Sequence, residues 1–162
     1  MKKTLYLLRH AKSSWKDFSL SDFDRPLNKR GKRDAPFMSV KMKEKGIQPD
    51  SIISSPAKRA KKTAKIFSEV LEVPLFLEEK LYAAEIDEML WIMQKAFETQ
   101  DEVMIVGHNP ELTYLNDMLS DKEIFNIPTT GIVAITFEAY PIEAHTGKQL
   151  FFEYPKKYKE KS

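Results

Sequence analysis

A three-layer α/β/α sandwich built on a mixed, mostly parallel sheet of about six strands is predicted by three observations. Short apolar or β-branched runs alternate along the chain with segments whose apolar residues recur every three or four positions. The last two apolar runs are separated by a stretch without helical period, so they pair as an antiparallel hairpin against an otherwise parallel sheet. The 162 residues, 42% of them hydrophobic, can bury one sizeable core and predict a single domain over residues 1–162.

The predicted strands cover 4–8, 51–54, 73–77, 103–106, 132–137 and 150–154, each rich in aliphatic, β-branched or aromatic residues. Between the first two, Ala35, Met38 and Met42 mark a helix that Pro36 either begins or kinks. Ala57, Ala60, Ala64, Phe67 and Leu71 fall on one face of the next helix. Met89, Ile92, Met93 and Ala96 define a third, and Leu112, Leu115 and Leu119 a fourth. Residues 138–148, with Pro141 and Gly147, form the hairpin loop. The tail 156–162 is almost wholly charged or polar and is expected to fray. Neither an internal repeat nor a low-complexity linker divides the chain.

Composition removes several classes of chemistry. With no cysteine, disulfides, thiolate metal sites and a cysteine nucleophile are all excluded. A net charge of +2, from 26 basic and 24 acidic residues, gives no global field for nucleic acid or an anionic membrane, and no base-reading motif is present. The apolar run before Arg9 is too short for a signal h-region or a membrane span, which predicts a cytoplasmic, soluble chain.

In a parallel sheet, ligands bind beyond the carboxyl ends of the strands, and three such ends carry reactive or cationic side chains. The first is Arg9-His10, the second Ser54–Thr63 (SSPAKRAKKT), and the third Val106–Leu112 (VGHNPEL). In the second and third, Ser55-Pro56 and Asn109-Pro110 read as an N-cap followed by proline at the first helical position. Two helix N-termini then face one sheet edge, and Arg9 and Arg59 add guanidinium forks matched to phosphate oxygens. At such a site a neutral His10 imidazole could attack phosphorus in line, giving a phosphohistidine that water cleaves. His108, if protonated, would stabilise the equatorial oxygens.

These residues resemble the histidine phosphatase superfamily, the phosphoglycerate mutase-like proteins, and within it the short phosphohistidine phosphatases of the SixA type. The likeness rests on Arg9-His10, on Ser54-Ser55-Pro56 with Arg59, Ala60 and Thr63, on Gly107-His108, and on Arg25-Pro26-Leu27 with Gly31 and Ala35 downstream. It implies that His10 is the phosphorylated nucleophile, that Arg9 and Arg59 hold the phosphate, that His108 completes the pocket, and that no metal or other cofactor is required.

Two departures bear on the chemistry. The family's Arg-His-Gly-x-Ser-x-x-Asn stands here as Arg9-His10-Ala11-Lys12-Ser13-Ser14-Trp15-Lys16. Alanine disfavours positive φ, so the loop is expected to take an ordinary backbone conformation at residue 11. Lys16 either replaces an asparagine hydrogen bond by a point charge or faces solvent. Both changes make mutase activity less secure than phosphatase activity. Ser13 either orients the phosphate or caps the loop. Glu79 is the first candidate for the proton donor, because Glu79–Ala83 (EKLYA) is similar to the Glu-x-x-Tyr-Gly segment that supplies the acid in mutase-like relatives; Asp24 and Glu85 are the alternatives. A phosphoramidate leaving group would make less demand on such an acid.

The remaining features read as structural. His145 is expected at the surface, and Trp15 and Trp91 are expected to pack. Lys58, Lys61, Lys62 and Lys65 form a solvated helix face that could also guide an acidic protein partner. A metal-dependent phosphoesterase using His10 and His108 as ligands fits poorly, since arginines accompany both histidines. A binding module without turnover would need the arginines but no nucleophile. The short chain leaves little room for insertions over the site, which suits a phosphoryl group on a protein side chain. The expected partner is a phosphorylated protein carrying phosphohistidine, then a small phosphate ester, with inorganic phosphate as product.

Overall fold

The computed structural model describes residues 2–159. In chain order its elements are β1 (Lys3–Arg9), α1 (Lys29–Glu44), β2 (Ser51–Ser54), α2 (Lys58–Leu71), β3 (Leu75–Leu77), α3 (Ile86–Phe97), β4 (Glu102–Gly107), α4 (Glu111–Leu119), β5 (Ile132–Phe137), β6 (Lys148–Glu153) and α5 (Pro155–Lys159), with short 3-10 turns at Asp22–Asp24 and Glu79–Leu81. The six strands form one sheet in the order β3-β2-β4-β1-β5-β6. The first four run parallel, β5 is antiparallel to β1, and β6 pairs antiparallel with β5. This is the mixed α/β sheet that the sequence predicts.

Alternation along the strands divides the apolar residues between the two faces. Leu5 and Leu7 with Val103, Ile105, Val133 and Ile135 point to one side, where α3 and α4 bury Met89, Met93, Leu112 and Leu115. Tyr6 and Leu8 with Met104, Val106, Ile132 and Ala134 point to the other, under Met38 and Met42 of α1 and Ala60, Ala64 and Phe67 of α2. A central strand buried on both faces must be apolar throughout, which is why β1 reads as an unbroken run rather than an alternating one.

Several boundaries differ from expectation. The third strand begins at Leu75 rather than Val73, because the Val73 side chain turns into the α2 core and Pro74 has no N–H to donate; its carbonyl accepts from the Ile52 amide at 2.9 Å. Helix α1 starts at Lys29, capped by Asn28, whose side chain accepts from the Gly31 amide at 2.9 Å, so Pro36 lies inside the helix and does not begin it. The sixth strand runs Lys148–Glu153, taking in two polar residues as sheet-edge strands tolerate. Residues 156–159 are helical in α5 and do not fray: Lys157 donates to the Phe152 carbonyl at 3.0 Å, and the Tyr158 ring meets Phe37 edge-on at a 5.8 Å centroid separation. Residues 160–162 lie outside the described residues. No helix among the described residues is long and apolar enough to cross a membrane.

Candidate phosphate-handling site

The three predicted strand ends are neighbours, since β2, β4 and β1 are adjacent in the sheet. Their extensions remain hydrogen-bonded: the His10 amide donates to the Gly107 carbonyl at 3.2 Å and the Ser55 amide to the Val106 carbonyl at 3.0 Å. Arg9, His10, Ser55, Arg59 and His108 therefore converge at one edge.

His10 is only 8% exposed. Its Nδ1 lies 2.8 Å from the Ala11 carbonyl oxygen, an atom that can only accept, so Nδ1 carries the proton and Nε2 keeps its lone pair. Burial, reinforced by the charges of His108, Arg59 and Arg9 and opposed by the Ala11 hydrogen bond, lowers the His10 pKa to about 3. The Ala11 backbone is fixed in turn: its amide donates to Thr63 Oγ1 at 2.9 Å, and that hydroxyl donates to the Arg59 carbonyl at 2.8 Å. Thr63 thus ties the loop after β1 to the first turns of α2. As expected for alanine, Ala11 is not among the residues with positive φ.

His108 is held in the opposite sense. Arg59 Nη2 approaches His108 Nδ1 at 3.4 Å, and since a guanidinium can only donate, Nδ1 accepts and Nε2–H donates to Ser55 Oγ at 2.8 Å. Burial and the Arg59 charge lower its pKa to about 4, with Asp22 opposing. Burial beside Arg59 therefore favours the neutral His108 ring in the free site, so the protonated form in which it would stabilise equatorial oxygens is not the resting one. Its ring centroid lies 5.2 Å from that of His10.

Ser55 Oγ also accepts from the Ala57 amide at 3.2 Å, but α2 begins at Lys58 with Ala57 at its cap position, so Ser55 lies before the helix. Asn109 similarly precedes α4, which begins at Glu111; its Oδ1 accepts from the Thr113 amide at 3.2 Å and its Nδ2 donates to the Ile127 carbonyl at 2.9 Å. The two expected N-caps thus stand at the helix entrances, Ser55 two residues before the cap position Ala57 and Asn109 one before Pro110.

The arginines form a second layer. Arg9 donates from Nη1 to the Ile127 carbonyl at 3.0 Å, while its buried Nε–H has no partner among the described residues. Arg59, 7% exposed, gives Nη1 to the Asp22 carbonyl at 2.7 Å and Nη2 to Asp22 Oδ2 at 3.0 Å. Asp22 also accepts from Tyr82 Oη at 2.8 Å and from Arg25 Nη1 at 2.8 Å. Although desolvation alone would raise its pKa, the hydrogen bonds from Tyr82, Arg59 and Arg25 and the Arg59 charge hold Asp22 at about 2. Arg25 further hydrogen-bonds Ser13 Oγ through Nη2 and lies over the Trp15 ring, 3.3 Å from its centroid. Ser13 is thus buried against Arg25 beside the loop.

Asp22, Arg59, Tyr82, His108, Asn109 and Glu111 line a cavity of about 180 Å³. Glu79 does not: it lies exposed on the 3-10 turn Glu79–Leu81, and it is Tyr82, three residues on, that reaches the site. The alternatives also lie elsewhere, Asp24 accepting from Ser21 Oγ at 2.9 Å and Glu85 closing a capping box with Glu88 at the start of α3. Lys16 is exposed, and among the described residues only its backbone amide is engaged, donating to Ser14 Oγ at 3.1 Å. Both tryptophans are more open than expected, Trp15 being stacked on Arg25 and Trp91 lying under Lys80. His145 is at the surface, as expected. Among the described residues no three His, Asp or Glu side chains gather as a metal-ligand set.

Comparison with known proteins bears directly on this arrangement. A model of the histidine phosphatase superfamily (branch 1) matches residues 5–104. The chain belongs to this superfamily. The phosphohistidine phosphatase assigned as SixA from Agrobacterium tumefaciens superposes with a TM-score of 0.82 at 26% identity, covering 94% of this chain and 98% of that one. The protein histidine phosphatase SixA complexed with tungstate superposes at 0.84, with 19% identity over 96% and 99% of the two chains. An uncharacterized chloroplastic protein of Arabidopsis thaliana is 33% identical over 75% of this chain, which spans 61% of that relative's length. Phosphoserine phosphatase of Entamoeba histolytica, solved as a mutant in complex with phosphoserine, shares the fold at a TM-score of 0.67 and 16% identity, covering 93% of this chain and 96% of that one.

The loop carrying His10 is braced from one further direction. The Ser14 amide donates to the Pro26 carbonyl at 2.8 Å, the Asn28 amide to the Lys12 carbonyl at 3.0 Å, and Ser13 and Leu27 form an antiparallel bridge. A Cβ on Gly31 would collide with the Lys12 carbonyl oxygen, so this close approach of α1 admits glycine alone. Gly31→Ala is expected to cost about 1–3 kcal/mol of stability and to lower turnover by displacing the loop. Urea unfolding alongside steady-state kinetics checks both effects.

The depressed imidazole pKa values also set a pH dependence. Between about 3 or 4 and the unfolded value near 6.5, the unfolded chain binds more protons at residues 10 and 108 than the folded one. Stability from these groups is complete above about pH 6.5 and is lost as pH falls, by about 1.4 kcal/mol per unit for each imidazole. Urea titrations at pH 7 and pH 5 are expected to show a steeper loss in wild type than in His108→Gln.

Proposed function

We propose that this protein is a phosphatase that hydrolyses phosphohistidine on a protein partner through a covalent phospho-His10 intermediate. The observation that carries the reading is the His10 imidazole itself: its proton is committed to the Ala11 carbonyl, its Nε2 lone pair is free, and cationic side chains surround it. Nε2 attacks phosphorus, the bond from phosphorus to the leaving nitrogen breaks, and that nitrogen takes its proton from solvent. Water then attacks the phosphorus of phospho-His10, releasing inorganic phosphate and restoring the neutral imidazole.

Arg9 and Arg59 counter the charge on the phosphoryl oxygens, with the unpartnered Arg9 Nε–H as a ready donor. A phosphate dianion beside His108 favours the protonated ring and so opposes the shift that burial imposes. The SixA structure that shares this fold is complexed with tungstate, an oxyanion of similar shape.

The choice of a phosphoramidate over an alkyl ester rests on Asp22. It lines the cavity, yet its two arginine partners hold it ionised, so it has no proton to give an alkoxide. Imidazole needs no such donor. Glu111, the other carboxylate lining the cavity, favours a second reading in which a small phosphate ester is cleaved with Glu111 as acid. Phosphate release from a phosphohistidine protein and from phosphoserine, with wild type and Glu111→Gln side by side in chelator, tests the choice. The first reading expects preference for phosphohistidine unaffected by the substitution; faster phosphoserine cleavage that Glu111→Gln abolishes overturns it.

A further inference from the structure

Beside the site lies a second cavity of about 470 Å³, lined by Pro26, Leu27, Lys32, Lys58, Lys61, Lys62 and Lys65. We infer that this lysine-rimmed groove between α1 and α2 docks an acidic, apolar segment of the protein that carries the phosphoryl group. The inference rests on the phosphatase reading for its purpose but not for its geometry.

The four α2 lysines stand at i, i+3, i+4 and i+7, which places them within about 100° of arc on one stripe, while Lys32 faces them from α1. All five are exposed, and none of their ammonium groups forms an ion pair or hydrogen bond among the described residues. Like charges at these spacings repel and weaken the helix, and no carboxylate lines the groove to relieve them. A partner's carboxylates would do so.

The floor decides between kinds of polyanion. Pro26, Leu27 and the methylene stems of the lysines are apolar, and no aromatic ring lines the groove for a base to stack upon. An acidic peptide with aliphatic side chains matches both floor and rim, whereas a nucleic acid would leave the floor unused. The groove also adjoins the site through the chain itself, since Lys58 precedes Arg59 and Pro26-Leu27 follows Arg25. A segment seated there lies next to the strand edge that holds His10.

The test uses a fluorescein-labelled, unphosphorylated peptide of Glu-Glu-Leu-Leu repeats, titrated by anisotropy against the full chain and against the Lys61→Glu/Lys62→Glu/Lys65→Glu variant. Binding that weakens about tenfold in the variant and falls with added salt is expected. KM for a phosphohistidine protein should rise in parallel, with p-nitrophenyl phosphate hydrolysis unchanged. No peptide binding, equal binding by the variant, or displacement of the peptide by single-stranded oligonucleotide overturns the proposal. If the triple variant does not fold, Lys32→Glu on the opposite wall gives the same readout. Absence of p-nitrophenyl phosphate hydrolysis in wild type would sink the phosphatase reading, while the peptide titration still decides the groove.

Discussion

His10→Ala is expected to lower turnover by about 10,000-fold or more, because the other unprotonated ring nitrogen at this edge, His108 Nδ1, is already engaged by Arg59. The loss should fall on kcat with little change in phosphate binding, since the arginines and His108 remain. The fold should survive: the main-chain bond from residue 10 to the Gly107 carbonyl does not depend on the side chain, and β1 stays paired with β4 and β5. Circular dichroism and an unfolding midpoint close to wild type, beside the kinetic loss, would separate a missing nucleophile from a missing structure. A turnover number within tenfold of wild type would be incompatible with covalent catalysis at this residue.

Arg59→Ala carries the second large expected effect, a fall of about 100- to 1,000-fold in kcat together with a raised KM. Arg59 has three partners to lose. In the proposed reaction it supplies charge to the phosphoryl oxygens; in the structure it donates to His108 Nδ1 and so fixes that ring's tautomer, and it anchors the Asp22 turn through two hydrogen bonds. Arg59→Lys keeps the charge but not the fork, so it should recover part of kcat and little of the Asp22 anchorage. Equal defects in the lysine and alanine variants would assign the loss to geometry, whereas full recovery by lysine would leave charge alone responsible.

The core of the site was legible in the sequence for a specific reason. Arg9, His10, Arg59 and His108 each follow a strand or open the helix after it, and parallel neighbours put such positions on one edge. What joins them was less visible, because it depends on contacts between distant segments. Asp22 meets Arg59 across 37 positions and Tyr82 across 60, and Thr63 holds Ala11 across 52. No periodicity records a hydrogen bond of that kind. In the segment Glu79–Ala83, to which the similarity drew attention, the 3-10 turn leaves Glu79 exposed and directs Tyr82 to Asp22. Ala83, where the similar segment has glycine, takes φ of 58°, a conformation its side chain does not favour.

The fold itself followed from pattern where burial dominates and escaped it where a single side chain overrides the pattern. The apolar stripes of α2, α3 and α4 lie against the sheet as their spacing requires. Val73, by contrast, has strand propensity but is pulled into the α2 core, and the tail 156–159 looks polar while Lys157 and Tyr158 hold it as a helix. Charge state was the least legible of all. From sequence His108 could be either a cation or a neutral donor, and its burial beside Arg59 favours the neutral ring before substrate arrives.

The central claim is the phosphorus–nitrogen bond to His10. The most direct measurement is rapid acid-free quench of the protein with a phosphohistidine substrate, followed by mass spectrometry of its peptides under alkaline conditions that preserve phosphohistidine. Phosphate on the peptide containing His10, appearing within the first turnover and absent from Arg59→Ala at the same time point, is the result expected. Steady release of phosphate with no phosphate on His10 at any time would contradict it.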